Sequence, residues 1–314
     1  MATLLFTHPS FIAHDTGPGH PERPDRMRAI DKVLSHEIFQ ALVREEAPLR
    51  PDVEEQILLA HPEGHLAGMR GLAEAAQKSP RYIDGDTVVS PGTWEAALRA
   101  VGAGLDAVDA VIGGRAANAF CQVRPPGHHA EADRAMGFCF FSNAAIAGLY
   151  ARKKHGAERV AIVDFDVHHG NGTQDIFWSD KDLFYGSTHE MPLFPGTGAE
   201  SERGVGNITN APLRAGDGGE RFREAVESRI LPALHNFGPD ILIVSAGFDA
   251  HQADPLANLR LVEADYLWAT ERLAGLAQRH CNGRIVSMLE GGYDLTALAR
   301  SVAVHVKALM DAGA

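Results

Sequence analysis

From Asp164 to Asn171 the chain reads Asp-Phe-Asp-Val-His-His-Gly-Asn, with Asp164, Asp166 and His168 at every second position. The string follows a short β-branched apolar run, 160–163, of the kind that forms a strand buried on both faces of a parallel sheet. If the extended conformation persists, the three side chains project toward one side. Two carboxylates at a buried strand end are costly unless a cation or hydrogen-bond donors neutralise them. Asp and His are ligands that zinc accepts at about 2.0–2.2 Å, and a catalytic zinc usually keeps three protein ligands and one open position. Asp166 and His168 supply two. Asp249, which follows the apolar run 241–244 and Gly247, is the best third. Two carboxylates and a neutral imidazole would cancel the charge of the ion.

Other residues could supply the rest of a hydrolytic site. His128 and His129 stand in a loop stiffened by Pro125, Pro126 and Gly127. Adjacent histidines cannot point the same way, but both can line one cavity and move protons when each is held by an acceptor. Tyr293 follows two glycines at a strand end, where a phenol could donate to a developing oxyanion. Taken singly, Asp249 reads as a turn residue and Gly-Gly-Tyr as an ordinary turn. Phe138 and Phe194 could line an apolar tunnel.

The positioning elements follow from periodicity. Strands are predicted at the N-terminus and over 119–123, 160–166, 184–189, 241–244 and 285–289. Helices are predicted from Met27 through Leu34, over 61–76, from Ser90-Pro91 toward Gly113, and from Ser142 or Asn143 to a stop at Gly156. Further helices cover 219–237, kinked near Pro232, and 262–281, and a last one is capped by Asp294. Residues 199–218 show no clear period. Strands alternating with helices indicate an α/β fold with a parallel sheet. The strands ending near Val123, Asp166, Val244 and Leu289 each pass into a loop carrying Gly with His, Asp or Tyr. Ligands of open α/β sheets bind outside the carboxyl ends of the strands. The four loops can therefore converge on one site, which implies one domain over 1–314.

Composition sets the outer bounds. A net charge of −12 argues against a general nucleic-acid surface. Cys121, Cys139 and Cys281 form no Cys-x-x-Cys pair, which points to a reducing compartment. The first residues carry no signal-peptide pattern, and no stretch reaches the roughly 18 apolar residues of a membrane span. The expectation is a soluble cytoplasmic protein with no membrane or nucleic-acid partner.

Seven segments together resemble the zinc-dependent histone deacetylases, in their bacterial class II-like branch. They are His20-Pro-Glu-Arg-Pro-Asp-Arg26, Arg124-Pro-Pro-Gly-His-His-Ala130, Gly137-Phe-Cys-Phe-Phe-Ser-Asn143, Asp164 to Asn171, Phe194-Pro-Gly-Thr-Gly198, Ser245-Ala-Gly-Phe-Asp249 and Glu290-Gly-Gly-Tyr293. The resemblance implies the three-layer arginase-deacetylase fold, an eight-stranded, mostly parallel sheet between helical layers. It assigns zinc to Asp166, His168 and Asp249, carbonyl polarisation to Tyr293, and general base and acid chemistry to His129 with electrostatic help from His128. Asp164 would orient His128 and Asn171 would orient His129. Class I relatives carry Asp where this chain has Asn171; an amide should raise the imidazole pKa less than a carboxylate. The family's potassium would meet the Asp164 side chain, backbone carbonyls of Asp166, His168 and Thr188, and Ser187. Phe138 and Phe194, with Gly137 and Leu256, would wall a channel for a linear acylated amine.

The implied substrate is an acylated lysine of a protein or peptide, with acetylpolyamines or other small acylated amines as the alternative. Leu256 after Asp254-Pro255 stands where the polyamine-selective eukaryotic branch carries Glu. Gly170 stands where an arginase-like dimanganese site needs a carboxylate. A catalytically silent acyl-lysine-binding protein is the third reading, and no motif residue is missing to favour it.

Overall fold

The computed structural model describes residues 1–314. Eight strands form one sheet: β1 (Thr3–Thr7), β2 (Val43–Glu46), β3 (Asn118–Cys121), β4 (Val160–Asp164), β5 (Leu183–Glu190), β6 (Ile208–Leu213), β7 (Ile241–Ala246) and β8 (Ile285–Leu289). Their order is β2-β1-β3-β8-β7-β4-β5-β6, and every neighbouring pair is parallel. The sheet is thus wholly parallel.

Parallel neighbours need crossovers, and the crossover helices cover both faces. One layer is built around Thr93–Ile112 packed on Asn143–His155, the other around Glu263–Cys281, Leu295–Gly313 and Asp25–Leu34. Every residue of β3, β4, β7 and β8 is consequently buried, which is why these strands read as predominantly apolar runs. A connected core of 82 buried hydrophobic residues spans the sheet and both layers.

The two edge strands are absent from the periodicity reading. β2 is Val-Arg-Glu-Glu and mostly exposed, and β6 carries Asn210 and Pro212 in the stretch without a period. Edge strands bury one margin only, so they carry no apolar run to detect. Three boundaries also differ. The extended conformation of β4 stops at Asp164, so Asp166 and His168 lie in the loop beyond it, and the alternation argument does not extend to them. The helix expected from Ser90 begins at Thr93; the Ser90 hydroxyl instead accepts the Asp15 N–H at 3.0 Å. The break expected at Pro232 is a π-helical turn, Val226–Ile230, which sets Pro232 in the first turn of Leu231–Phe237, where its missing N–H does no harm.

The central four strands β3, β8, β7 and β4 lie side by side. They are the four whose loops carry the candidate chemistry, so those loops open onto one place above the sheet.

Candidate active site

At the ends of β4 and β7, Asp166, His168 and Asp249 place one ligand atom each within 4.8 Å of one another, all buried. Backbone donors hold both carboxylates. Asp166 Oδ1 accepts the His168 N–H at 2.9 Å and Oδ2 the Gly291 N–H at 2.8 Å; Asp249 Oδ1 accepts the Val167 N–H at 2.8 Å. Asp166 Oδ1, the same oxygen that accepts the His168 N–H, and Asp249 Oδ2 converge on His168 Nδ1, at 3.2 and 3.1 Å. Glycine is required around this cluster: a Cβ on Gly247 would run into the Asp166 carboxylate, and one on Gly291 into that of Asp249.

The electrostatics describe a site short of positive charge. Burial and the neighbouring Asp166 push Asp249 up to about 7. Burial disfavours the charged form of His168, but the two carboxylates outweigh it and take the imidazole up to about 10. A divalent cation held by two carboxylate oxygens and one imidazole nitrogen relieves the same deficit, and the donor set suits zinc.

The loop after β3 brings His128 and His129 beside the cluster. His128 Nδ1 lies 3.0 Å from Asp164 Oδ2, and its Nε2 is 3.8 Å from Asp166 Oδ1. Burial opposes protonation of His128, yet Asp166 and Asp164 raise its pKa well above the ordinary value. His129 Nδ1 meets Asn171 Oδ1 at 2.8 Å, and the Asn171 amide donates to Glu131 at 2.7 Å, which fixes the orientation of the amide. Burial, His128 and His168 together hold His129 well below the usual imidazole range, so it is neutral.

Asp164 is fully engaged: Oδ1 accepts the Asp166 N–H at 3.0 Å and Oδ2 also accepts the Tyr185 hydroxyl at 3.0 Å. Ser187, paired with Asp164 across the sheet, and Thr188 follow on β5, with the Ser187 hydroxyl 2.9 Å from His189 Nδ1.

A cavity of about 210 Å³ opens above the cluster, lined by Asp86, His129, Gly137, Phe138, His168, Leu193, Phe194, Leu256 and Tyr293. Gly137, Phe138, Phe194 and Leu256 all reach it. The Phe194 ring stands edge-on to His129 at 5.0 Å, and the Phe138 ring edge-on to Tyr293 at 6.0 Å. Gly137 and Phe138 both have positive φ, 56° and 68°, which turns the phenyl ring into the cavity. Positive φ at a bulky residue is strained and persists only where its surroundings impose it. Burial, Asp249 and Asp166 raise the Tyr293 phenol well above its ordinary pKa, so it remains a donor.

The motif reading gave no role to several residues that organise the site. Glu290 Oε2 accepts the Gly127 and His128 N–H groups at 2.7 and 3.2 Å, and Oε1 the Ser245 hydroxyl at 3.1 Å. Tyr185 and Glu131 steady the two histidines through Asp164 and Asn171. Glu22, Arg26 and Arg124 are buried behind Tyr293. The only sequence signal for them is that charged residues occur inside the recognised motifs.

Three comparisons with known proteins agree on the family. The family model described as the histone deacetylase domain matches residues 20–309. Histone deacetylase 14, chloroplastic, of Arabidopsis thaliana is 38% identical, over 98% of this chain and 77% of the relative. The histone deacetylase-like amidohydrolase of Pseudomonas aeruginosa is 40% identical, over 88% of this chain and 73% of its own. The crystal structure of the HDA15 HD domain superposes with a TM-score of 0.92 at 34% identity, covering 99% of this chain and 88% of that one. These relatives support deacetylase activity, a hydrolysis of amide bonds. The chain belongs to the histone deacetylase family and has its arginase-deacetylase fold.

Proposed function

We propose that the protein is a zinc-dependent amidohydrolase that removes acetyl or related acyl groups from Nε-acylated lysine. The observation that carries this reading is the cavity of about 210 Å³, walled by Phe138, Phe194 and Leu256, with His129, His168 and Tyr293 on its lining. A linear acylated amine suits such a channel, with its amide at the depth of the polar groups.

Asp166, His168 and Asp249 would hold zinc, which when bound supplies Lewis acidity toward the acyl carbonyl and a water of lowered pKa. Neutral His129 accepts the proton of the attacking water and returns it to the leaving amine. Asn171 keeps the His129 ring in the tautomer that leaves Nε2 free to do so. Tyr293 donates its phenolic hydrogen to the oxyanion as charge develops on the acyl oxygen. His128, held cationic by Asp164 and Asp166, adds positive potential. The products are a carboxylic acid and the free amine. Potassium at Asp164, Ser187, Thr188 and the backbone of Asp166 and His168 would balance the carboxylates behind the zinc site, and the whole of 1–314 works as one domain.

Turnover of an acyl-lysine peptide tests the reading. The Tyr293→Phe variant should lose about 10²–10³-fold in kcat, the cost of removing one oxyanion donor. Unchanged turnover by the folded, zinc-loaded variant would remove Tyr293 from the mechanism. Asp86 at the cavity leaves room for a second substrate class, since its carboxylate can pair with the ammonium of an acetylated polyamine as well as with the N–H of a peptide. Parallel assays of acetyl-lysine peptides and acetylpolyamines separate the two.

A further inference from the structure

Behind the cavity wall lies a buried ionic cluster that the catalytic scheme leaves unused. Glu22, Arg26 and Arg124 are each fully buried. Arg124 Nε and Nη2 grip the two oxygens of Glu22 at 2.5 and 2.7 Å, and Arg124 Nη1 donates to the carbonyls of Phe11 and His14 at 2.5 and 2.9 Å. Arg26 Nη1 reaches the same carboxylate at 3.1 Å. The rest of the Arg26 guanidinium faces the loop after β8, where Nη2 donates to the Glu290 carbonyl at 2.5 Å and Nε to the Gly292 carbonyl at 2.7 Å. Its Cζ lies 5.1 Å from the centre of the Tyr293 ring.

These bonds close a ring. Arg124 begins the segment that carries His128 and His129, and Glu290 binds that segment again through the Gly127 and His128 N–H groups. Glu22 is the one anion between the two guanidiniums. Without its charge, two buried cations would face each other uncompensated, and Arg26 would lose its tie to the fixed wall. Gly292, whose carbonyl Arg26 holds, has a φ of 121° that glycine adopts freely, and it packs against Leu298 and Phe248.

We propose that Glu22 is a positioning residue for the chemical step, holding Arg26, and through Arg26 the Glu290–Tyr293 loop, so that the Tyr293 hydroxyl meets the developing oxyanion. The proposal rests on the deacylase reading and extends it to a residue remote from the substrate.

Glu22→Gln keeps the shape and removes the charge. In the zinc-loaded full chain, kcat on an acetyl-lysine peptide should fall at least tenfold, with KM and bound zinc within twofold of wild type. In a Tyr293→Phe background the same substitution should cost less than twofold, because the group it positions is gone. If Glu22→Gln does not fold, Arg26→Lys serves instead. A lysine keeps a cation facing Glu22 but cannot span both carbonyls, and it should show the same loss and the same dependence on Tyr293. Wild-type kcat in either variant, or equal losses with and without the Tyr293 hydroxyl, overturns the role of Glu22. An inactive wild type would overturn the deacylase reading itself, whereas an active wild type with unaffected variants overturns only the role of Glu22, so the two failures are distinguishable.

Discussion

Gly137 offers the sharpest test of how tightly the site is built, because adding one methyl group there moves a single catalytic candidate. A Cβ at Gly137 would lie 2.6 Å from His129 Cδ2 and 2.9 Å from its Cγ. Carbon atoms rest at about 3.5–4.0 Å, so in Gly137→Ala the imidazole must retreat by roughly 1 Å. The ring cannot slide freely, since Asn171 holds Nδ1 at 2.8 Å. A misplacement of about 1 Å costs on the order of 10²-fold in rate, and that is the expected fall in kcat. The stability cost has two parts: about 1–2 kcal/mol for a side chain at positive φ and about 1–3 kcal/mol for the overpacked contact. At roughly 2.1 cal/mol/K of unfolding entropy per residue, a chain of 314 residues should lose roughly 3–8 °C in Tm.

Gly114 supplies the control. Its φ is 72°, and a Cβ there meets nothing within 4 Å. Gly114→Ala should therefore show the strain alone, about 1–2 kcal/mol, with unchanged kcat. Steady-state turnover of an acetyl-lysine peptide and thermal unfolding of both variants make the comparison. If Gly137→Ala keeps kcat within threefold of wild type, or if Gly114→Ala loses as much, the placement of His129 against Gly137 is not what sets the rate.

Three other outcomes are expected. Zinc added to chelator-treated protein should raise Tm, since it binds the folded cluster and relieves carboxylate repulsion, while Asp249→Asn should abolish most of the rise; an equal rise in the variant would place the metal elsewhere. His305 is buried between the Thr270 and Ser287 hydroxyls at 2.7 and 2.8 Å, and burial lowers its pKa to about 3. The unfolded chain therefore binds its proton first, so stability falls as pH drops below about 6.5, by roughly 2 kcal/mol at pH 5; denaturant titrations should show a shallower acid slope in His305→Gln. Asn171→Asp sets a carboxylate against His129 Nδ1 and should move the acid limb of kcat/KM to higher pH, and an unmoved limb would separate that limb from His129.

The chemistry-bearing strand ends were legible because their signal is local. In β4 the apolar run and the acidic residues that end it lie within one short segment, and burial on both faces leaves the run unbroken by polar residues. β2 and β6 gave no such signal: an edge strand is defined by the neighbour it pairs with, and Val43 to Glu46 become a strand only against β1. The same distinction separates the two halves of the site. Asp166 and His168 stand two residues apart and invite a shared function. Glu22 and Arg124 stand 102 positions apart, and Arg26 and Gly292 stand 266 apart. A charged residue read alone defaults to the surface, so their burial became visible only when the fold brought both partners together. The segments flanking Glu22 and Arg26 belong to the N-terminal loop and helix, which carry no group on the cavity. Their charges are tolerated inside because each finds its partner there, and the partners lie on the loops that carry His129 and Tyr293. Perturbing Glu22 should therefore be felt in kcat before it is felt in substrate affinity.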